Sequence, residues 1–241
     1  MPDGEGAPGY ATRTWDCGKP HCGWSGNVPS GMSPLPSCKK DGSSNGDDYE
    51  VKSSCDGGDG YLCNNLAPWK VSDTVSYGYA ASGSGDICGK CYQLQFTGKG
   101  HYSDTPGAVA LAGKTMIVQL ISLGYDVSGG QFDILIPGGG VGVFDACSNK
   151  WNIPNSEFGA NYGGFLTACQ QQLGYYDHDA LKACVKAKGQ SVFRDRGIDD
   201  MADGVDWFVD WFMAADNPNL VYKEIECPAE LIEKSSMCRP D

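Results

Sequence analysis

The 241-residue sequence lacks long apolar runs and is poor in basic residues, with 18 Lys and Arg against 30 Asp and Glu. Because a membrane-spanning helix needs about 18 or more apolar residues in succession, none is expected. A net charge of −12 argues against nucleic acid and anionic membranes as partners. Sequons of the form Asn-x-Ser/Thr are absent too, so N-glycosylation is not indicated. These absences leave a protein suited to a neutral ligand.

A secretory signal is also missing, since neither a basic nor an apolar segment follows Met1. The 12 cysteines are nevertheless even in number and spread over the chain, which favours a disulfide framework made in an oxidising compartment. We therefore expect a secreted, extracellular protein whose signal was removed before Met1. The alternative is structural zinc, because Cys88 and Cys91 have C-x2-C spacing, although no His lies at ligand spacing from them.

The length favours one domain over residues 1–241, with a loose Gly/Pro-rich segment at 1–11. Residues 25–60 contain few apolar side chains and predict a long loop region pinned by cysteines. Alternating or dense apolar runs predict strands at 92–97, 114–121 and 131–136, and a further strand at 141–144. Short strands with Gly-rich turns are typical of a mostly β fold closed into an antiparallel or mixed barrel.

Helical periodicity predicts a few short helices later in the chain, at 162–173, 178–187, 199–215 and 228–233. The clearest is 199–215, where apolar residues recur on one stripe until Asn217-Pro218 ends the helix.

Asp133 is unusual because it lies inside an apolar strand, between Phe132 and Ile134. Strands disfavour Asp, so something other than local propensity placed it there. Taken alone it could be a buried carboxylate hydrogen-bonded to backbone. The alternative is a catalytic role in the cleavage of a sugar–sugar bond, which an acidic, tryptophan-bearing protein of the secreted type suggests. That role needs a second carboxylate, because glycoside cleavage uses one acid to protonate the leaving oxygen and another group to activate water or attack the sugar.

Two long strings carry a resemblance to a known family. Residues 12–24, TRTWDCGKPHCGW, resemble the first signature of family 45 glycoside hydrolases, the small fungal-type endoglucanases. Residues 124–147, GYDVSGGQFDILIPGGGVGVFDAC, resemble the second signature, and 113–116 and 206–227 also fit. The resemblance spans residues 12–239. It implies a six-stranded double-psi β-barrel with long disulfide-stapled loops.

The same resemblance implies an endo-β-1,4-glucanase that hydrolyses internal bonds of cellulose and related β-glucans by single displacement with inversion. The general base would be Asp16 and the general acid Asp133, with Asp126 as a supporting carboxylate on a mobile loop. The substrate would be a β-1,4-glucan, no metal or cofactor would be needed, and the protein would act as a monomer. From the residues alone, Asp16 and Asp126 could equally be turn residues.

Substrate-binding roles also follow from the resemblance. They fall on Trp24, Lys19, Thr14, Tyr162 and Trp207, although Lys19 could simply be solvated. Trp69 and Trp211, flanked by apolar residues, are expected in the core, and Asp145 is expected to be structural. Two positions depart from the family pattern. Thr14 replaces a tyrosine that contacts the sugar, and Gln131 replaces a histidine two residues before the acid, which would change the hydrogen bonding of that acid.

The family disulfides imply the pairs Cys17–Cys147, Cys22–Cys88, Cys38–Cys63, Cys91–Cys227 and Cys169–Cys184. Gly18 and Gly89 stand where the family has two more cysteines. Their partners, Cys55 and Cys238, are left without mates, and we expect them to pair with each other. Residues 185–205 are inserted relative to the family.

Two non-hydrolytic alternatives come from other classes. Wall-loosening proteins like expansins share the barrel and the acid but lack the first-signature base, so the presence of Asp16 favours hydrolysis. A barwin-like carbohydrate-binding module is the second, and the chain length and the complete aspartate pair weigh against it.

Overall fold

β-Strands form the centre of the computed structural model, which describes residues 6–240. Within that range the strands are β1 (Ala7–Thr14), β2 (Trp69–Lys70), β3 (Val75–Ser82), β4 (Cys91–Gly100), β5 (Thr115–Leu123), β6 (Gln131–Leu135) and β7 (Pro218–Ile225). The helices are α1 (Pro106–Ala110), α2 (Cys147–Trp151), α3 (Gly164–Leu173), α4 (His178–Val192), α5 (Asp199–Asp210) and α6 (Ala229–Ser235). Single 3₁₀ turns at 21–23, 25–27, 54–56, 64–66, 155–158 and 194–196 lie in the connecting loops.

One mixed sheet joins all these strands in the order β2-β3-β5-β4-β7-β1-β6, and β6 also pairs with β3. The pairs β1–β6 and β3–β5 are parallel, whereas β1–β7, β4–β5, β4–β7, β2–β3 and β3–β6 are antiparallel. Helices and long loops surround the sheet. The predicted mostly β architecture with a few short helices is confirmed at this level.

Strand β6 is held between two neighbours at the position of Asp133. Alternation along the strand buries Phe132 and Ile134 and leaves Asp133 partly exposed on the opposite face. Asp133 pairs with Thr12 in the parallel ladder to β1 and with Ala81 in the antiparallel ladder to β3. The apolar residues of β6 therefore fix the orientation of the strand, and that orientation points the carboxylate out of the core.

The core extends from the sheet into α5, whose apolar stripe is buried as its periodicity predicts. Met201, Val205 and Phe208 are almost fully inaccessible to solvent. Each such side chain contributes about 1.5–3 kcal/mol when it leaves water. The helix ends at Asp210 rather than at residue 215, because Met213 and Ala214 have positive φ angles that no α-helix accommodates.

Two predicted segments differ in the structure. Residues 7–11, expected to be loose, belong to β1, where pairing with β6 and β7 supplies the hydrogen bonds that their Gly/Pro-rich sequence would not secure alone. Residues 141–144 form no strand, because glycines with positive φ at 138, 140 and 142 fold this part of the chain into turns.

Five disulfides staple the described residues, and they are the five pairs that the resemblance implies, including Cys17–Cys147. Zinc binding by Cys88 and Cys91 is excluded, because these two residues are bridged to Cys22 and Cys227. The predicted Cys55–Cys238 pair is wrong, and both thiols are free.

The position of Gly18 explains why Cys55 is unpaired. A Cβ atom on Gly18 would stand 2.5 Å from the Sγ of Cys55. Cys55 therefore faces the residue that would have been its mate rather than Cys238. Among the described helices, none has the length and apolar character required to cross a bilayer.

Candidate active site

Asp133 receives a hydrogen bond from its neighbour on β1. The Thr12 hydroxyl donates to Oδ1 of Asp133 over 2.9 Å. Burial raises the pKa of Asp133 to about 7; the Thr12 bond opposes that shift, and the charges of Asp126 and Asp16 add to it. A carboxylic acid with such a pKa retains its proton near neutrality and can donate it.

Asp16 lies just beyond the end of β1, and backbone contacts on both sides fix its position. The N–H of Trp15 donates to the carbonyl of Gly140 over 2.8 Å, and the carbonyl of Asp16 accepts from Ala146 over 3.0 Å. The next residue, Cys17, has a φ of 65° and bridges to Cys147. The chain after Asp16 is thus tied to the segment that follows Asp133.

The carboxylate of Asp16 is itself restrained. Its Oδ1 accepts from the N–H of Gly18 over 2.8 Å, which is the bond that a turn-forming Asp makes. Burial nevertheless raises the pKa of Asp16 to about 6, and the nearby charge of Asp145 adds to that rise. The Asp16 side chain therefore both stabilises the local turn and has a raised pKa, so the turn contact does not exclude a functional role.

The glycine turn after β6 brings the two segments together. A Cβ on Gly139 would lie 2.8 Å from the carbonyl oxygen of Ile136 and 3.0 Å from the backbone nitrogen of Thr14. Only glycine permits so close an approach of this turn to the end of β1. As a result, the carboxylates of Asp16 and Asp133 interact, since the charge of one raises the pKa of the other.

Asp126 lies on an exposed loop, residues 124–130, that joins β5 to β6. The N–H of Gly124 donates to the carbonyl of Ser82 over 3.0 Å, and the buried side chain of Val127 anchors the loop centre. The charge of Asp126 raises the pKa of Asp133, so this third carboxylate lies within electrostatic range of Asp133.

Lys19 and Trp24 form one unit beside the 49–51 loop. The ammonium of Lys19 lies 3.3 Å from the centroid of the Trp24 ring, as in a cation–π contact. It also donates 2.7 Å hydrogen bonds to the carbonyls of Tyr49 and Val51. Lys19 is only 8% exposed, and burial lowers its pKa. The alternative of a solvated lysine is therefore wrong, and Lys19 supports Trp24 from one face.

Thr14 and Tyr162 both lie at the glycine turn. The hydroxyl of Thr14 donates to the carbonyl of Gly140 over 3.4 Å. Tyr162, 62% exposed, follows Asn161, whose carbonyl accepts from the N–H of Gly142 over 2.7 Å. The buried guanidinium of Arg13 holds the same loop through the carbonyl of Gly163. Two of the predicted substrate-binding residues, one at the end of β1 and one on the loop held by Arg13, therefore lie against this turn.

Trp207 is not brought to the carboxylates. It is 7% exposed, stacks on Trp211 at a ring separation of 5.6 Å, and donates to the hydroxyl of Ser76 over 3.0 Å. Ser76 lies five residues before Ala81 on β3, so it is roughly 16 Å along the strand from the pairing partner of Asp133. Trp207, Trp211 and Trp69 line a separate cleft of about 600 Å³. The predicted contact of Trp207 with substrate remains a prediction.

The expectations for the other tryptophans and for Asp145 are met in most respects. Trp211 is buried in the core, while Trp69 is partly exposed with Lys234 over its ring. Asp145 accepts hydrogen bonds from both the N–H and the hydroxyl of Ser148 and from Asn155, and is structural.

Sequence reasoning missed two features of the site. Thr12 was noted only as part of a motif, yet the β1–β6 register makes it the hydrogen-bond partner of Asp133. Exposed large side chains beside Asp126 and Asp145 in the sequence were missed too, namely Tyr125, Val143 and Phe144. A signal for Tyr125 was its place beside Asp126, whereas Val143 and Phe144 were assigned to a strand.

Comparisons with known proteins identify the family of the chain. Residues 8–186 match glycosyl hydrolase family 45. The chain is 59% identical over 236 residues to Endoglucanase B of Cellvibrio japonicus, which covers 97% of this chain and 46% of that protein. It is 33% identical to an endoglucanase of Cryptopygus antarcticus, with 96% and 89% covered. The crystal structure of a cellulase from that springtail superposes with a TM-score of 0.74 at 32% identity, covering 97% and 98%. The chain thus spans about half the length of the first of these relatives.

Proposed function

Because the chain belongs to glycosyl hydrolase family 45, we propose that it is an endo-β-1,4-glucanase that cleaves internal bonds of cellulose and related β-glucans with inversion. The observation that carries this proposal is the pair Asp16 and Asp133, two interacting carboxylates whose pKa values are raised to about 6 and about 7. Expansin-like or purely binding functions receive no comparable support, since neither needs a second carboxylate at Asp16.

In the proposed reaction Asp133, in its protonated form, donates its proton to the glycosidic oxygen. The bond from that oxygen to the anomeric carbon breaks, and a water molecule attacks the carbon from the opposite face. Ionised Asp16 removes a proton from this water as the new bond forms. Each turnover consumes one water and yields two shorter chains. Asp133 is then ionised and Asp16 protonated, and proton exchange with solvent restores both groups.

The local environment suits each carboxylate to its role. Asp133 is desolvated and lies near two other acids, which favour its protonated form. Asp16 retains a hydrogen bond from Gly18, which favours its ionised form once the pH exceeds about 6. Asp126 would support both steps, since its negative charge helps Asp133 hold its proton and stabilises positive charge developing on the sugar ring.

The substrate would lie across the exposed residues around this pair. Trp24, supported by Lys19 on one face, would stack on a sugar ring with its other face. Thr14 and Tyr162 at the glycine turn would contact the sugars next to the cleaved bond. The exposed Tyr125, Val143 and Phe144 would add apolar surface. Thr14 is shorter than the tyrosine usual in the family and would leave the neighbouring subsite more open.

We propose the barrel type, the domain extent, the location and the oligomeric state as follows. Each of the six strands other than β2 pairs with two of the other five, and the β3–β6 ladder supports a closed barrel of the double-psi type. Residues 1–241 would form a single catalytic domain. Five disulfides support action outside the cell, in an oxidising environment. The protein would act as a monomer.

The test measures new reducing ends and loss of viscosity on a soluble β-glucan for the parent, Asp16→Asn and Asp133→Asn. Asn retains an oxygen that accepts the hydrogen bond but cannot transfer the proton, so we expect each variant to lose about 10²-fold or more in kcat. The exposed Asp41→Asn is the matched control and should retain parental activity. NMR of the first product should show the α-anomer. A parent that thins the polymer without producing reducing ends would refute hydrolysis, and an initial β-anomer would refute inversion.

A further inference from the structure

Gln131 lies two residues before Asp133 on the same face of β6, and its amide contacts the hydroxyl that binds the acid. Its Nε2 donates to Oγ1 of Thr12 over 3.0 Å, and Thr12 donates onward to Oδ1 of Asp133 over 2.9 Å. A hydroxyl has one proton, and an amide NH₂ group only donates. Because Thr12 accepts from Gln131, its own proton is free to point at Asp133.

The other end of the amide fixes this direction. Oε1 of Gln131 accepts from the backbone N–H of Ser128 over 3.0 Å and from the hydroxyl of Tyr10 over 3.0 Å, while the Ser128 hydroxyl lies 3.3 Å away. A backbone N–H can only donate. A flipped amide would place its NH₂ group against that N–H, with two donors facing each other. The contact with Ser128 therefore determines which amide atom faces Thr12.

We propose that Gln131 is a positioning residue that directs the Thr12 proton to Asp133 and ties the 124–130 loop, which carries Asp126, to the proposed acid. This proposal rests on the proposed function for its catalytic meaning. Gln131 contacts the loop with one end and the acid's partner with the other, so the loop and the acid are connected through a single side chain. Since an amide does not titrate, Gln131 itself keeps the same donor and acceptor at every pH at which the site works.

The electrostatic surroundings of Asp133 define what the test should detect. Its charged neighbours are Asp126 on the loop, Asp16 beyond β1 and Arg13 on β1, while its β3 partner, Ala81, is neutral. The Thr12 hydrogen bond is the strongest influence that lowers the pKa of Asp133. If the Thr12 proton is no longer held in place, the pKa of Asp133 should rise. The alkaline limb of the pH profile should then move to higher pH.

Two substitutions separate the connections. Gln131→Met keeps the length of the side chain but removes both the donor and the acceptor. Thr12→Val removes the hydroxyl bonded to the acid and leaves the contact between Gln131 and Ser128 intact. We expect each variant to move the alkaline limb of the kcat/KM profile to higher pH by about one unit. Because both act on the same hydrogen bond, the double variant should show the same shift as either single variant.

The loop connection has its own readout. Amide hydrogen exchange over residues 124–130 should accelerate in Gln131→Met and stay at the parental rate in Thr12→Val. Thermal unfolding of each variant shows whether it is folded. Gln131→Glu is a second variant of nearly unchanged size. Its carboxylate cannot donate, so the Thr12 proton should turn toward Glu and away from Asp133. The alkaline limb of kcat/KM should then move to a higher pH than in Gln131→Met.

Carboxyl ¹³C NMR titration of Asp133, assigned with Asp133→Asn, measures the same shift without substrate. It keeps this proposal testable even if the chain proves not to hydrolyse glucan. An unchanged pKa of Asp133 in Gln131→Met, alongside a raised one in Thr12→Val, would overturn the proposal. Shifts that add in the double variant would overturn it as well, since the two residues would then act independently.

Discussion

Asp16 and Asp133 lie far apart in the sequence, yet the charge of Asp16 contributes to the raised pKa of Asp133. The two carboxylates are joined by the β1–β6 ladder and by the glycine turn that packs against the end of β1. Because the two negative charges repel each other, one carboxylate tends to keep its proton while the other is ionised. Acid and base catalysis require this pair of states.

The activity should therefore depend on pH as a narrow bell. Asp16 must be ionised, which fails as the pH falls through about 6, and Asp133 must be protonated, which fails as the pH rises through about 7. We expect kcat/KM on a soluble β-glucan to fall on both sides of this interval. Activity that stays flat well below pH 6 and well above pH 7 would contradict the assignment of these two groups.

Replacing Asp126 should shift only one limb of that bell. Asp126→Asn removes a negative charge that raises the pKa of Asp133, so the alkaline limb should move to lower pH while the acidic limb stays in place. The measurement is kcat/KM across pH. Asp73 is an exposed carboxylate just before β3, and Asp73→Asn should leave both limbs unchanged. An equal movement of both limbs would indicate that Asp126 acts on the whole site rather than on the acid.

Lys19→Met should weaken both the fold and sugar binding. The substitution leaves the carbonyls of Tyr49 and Val51 without their donor and removes the positive charge that lies over the Trp24 ring. The cost should be about 2–3 kcal/mol in the free energy of unfolding. Thermal unfolding and calorimetric binding of a cello-oligosaccharide measure the two effects. The exposed Lys39→Met is the matched control. Unchanged binding by a destabilised Lys19→Met would show that Lys19 supports the loop but not the sugar site.

Gly18→Cys should create a sixth disulfide. The new Cβ would face the Sγ of Cys55, and closing this loop should stabilise the chain by about 3–4 kcal/mol through loss of unfolded-state entropy. Thiol titration should find Cys55 protected and Cys238 still free, and thermal unfolding should shift upward only under oxidising conditions. Gly18→Ser has a similar volume without the sulfur and should not gain stability. If titration finds all three thiols free, the two side chains do not meet in bonding geometry.

The sequence predicted β6, the strand of Asp133, well, because Phe132 and Ile134 alternate with polar positions and the structure buries both. It could not predict β3, whose Gly78 and small residues lack a strong apolar pattern, or the start of β1, where Gly9 packs against the carbonyl of Gly130. In both segments long-range pairing overrides weak local propensity.

The candidate site shows the same division between local and long-range information. Motif strings located Asp16 and Asp133, but the role of Thr12 depends on a strand register that no local pattern encodes. Pairing Cys55 with Cys238 failed because it was reached by elimination, whereas a disulfide requires the two side chains to face each other. Lys19 could not be placed either, since its partners at residues 49 and 51 belong to a loop without regular structure.

The bridge between Cys17 and Cys147 spans 130 residues, and it connects the two halves of the site. Contacts between such distant parts of a chain form late, since the loop between them must close before they gain stability. Recovery of the proposed enzymatic turnover after denaturation and reduction of the disulfides should therefore lag behind recovery of secondary structure, and turnover can serve as a reporter that the complete topology has assembled.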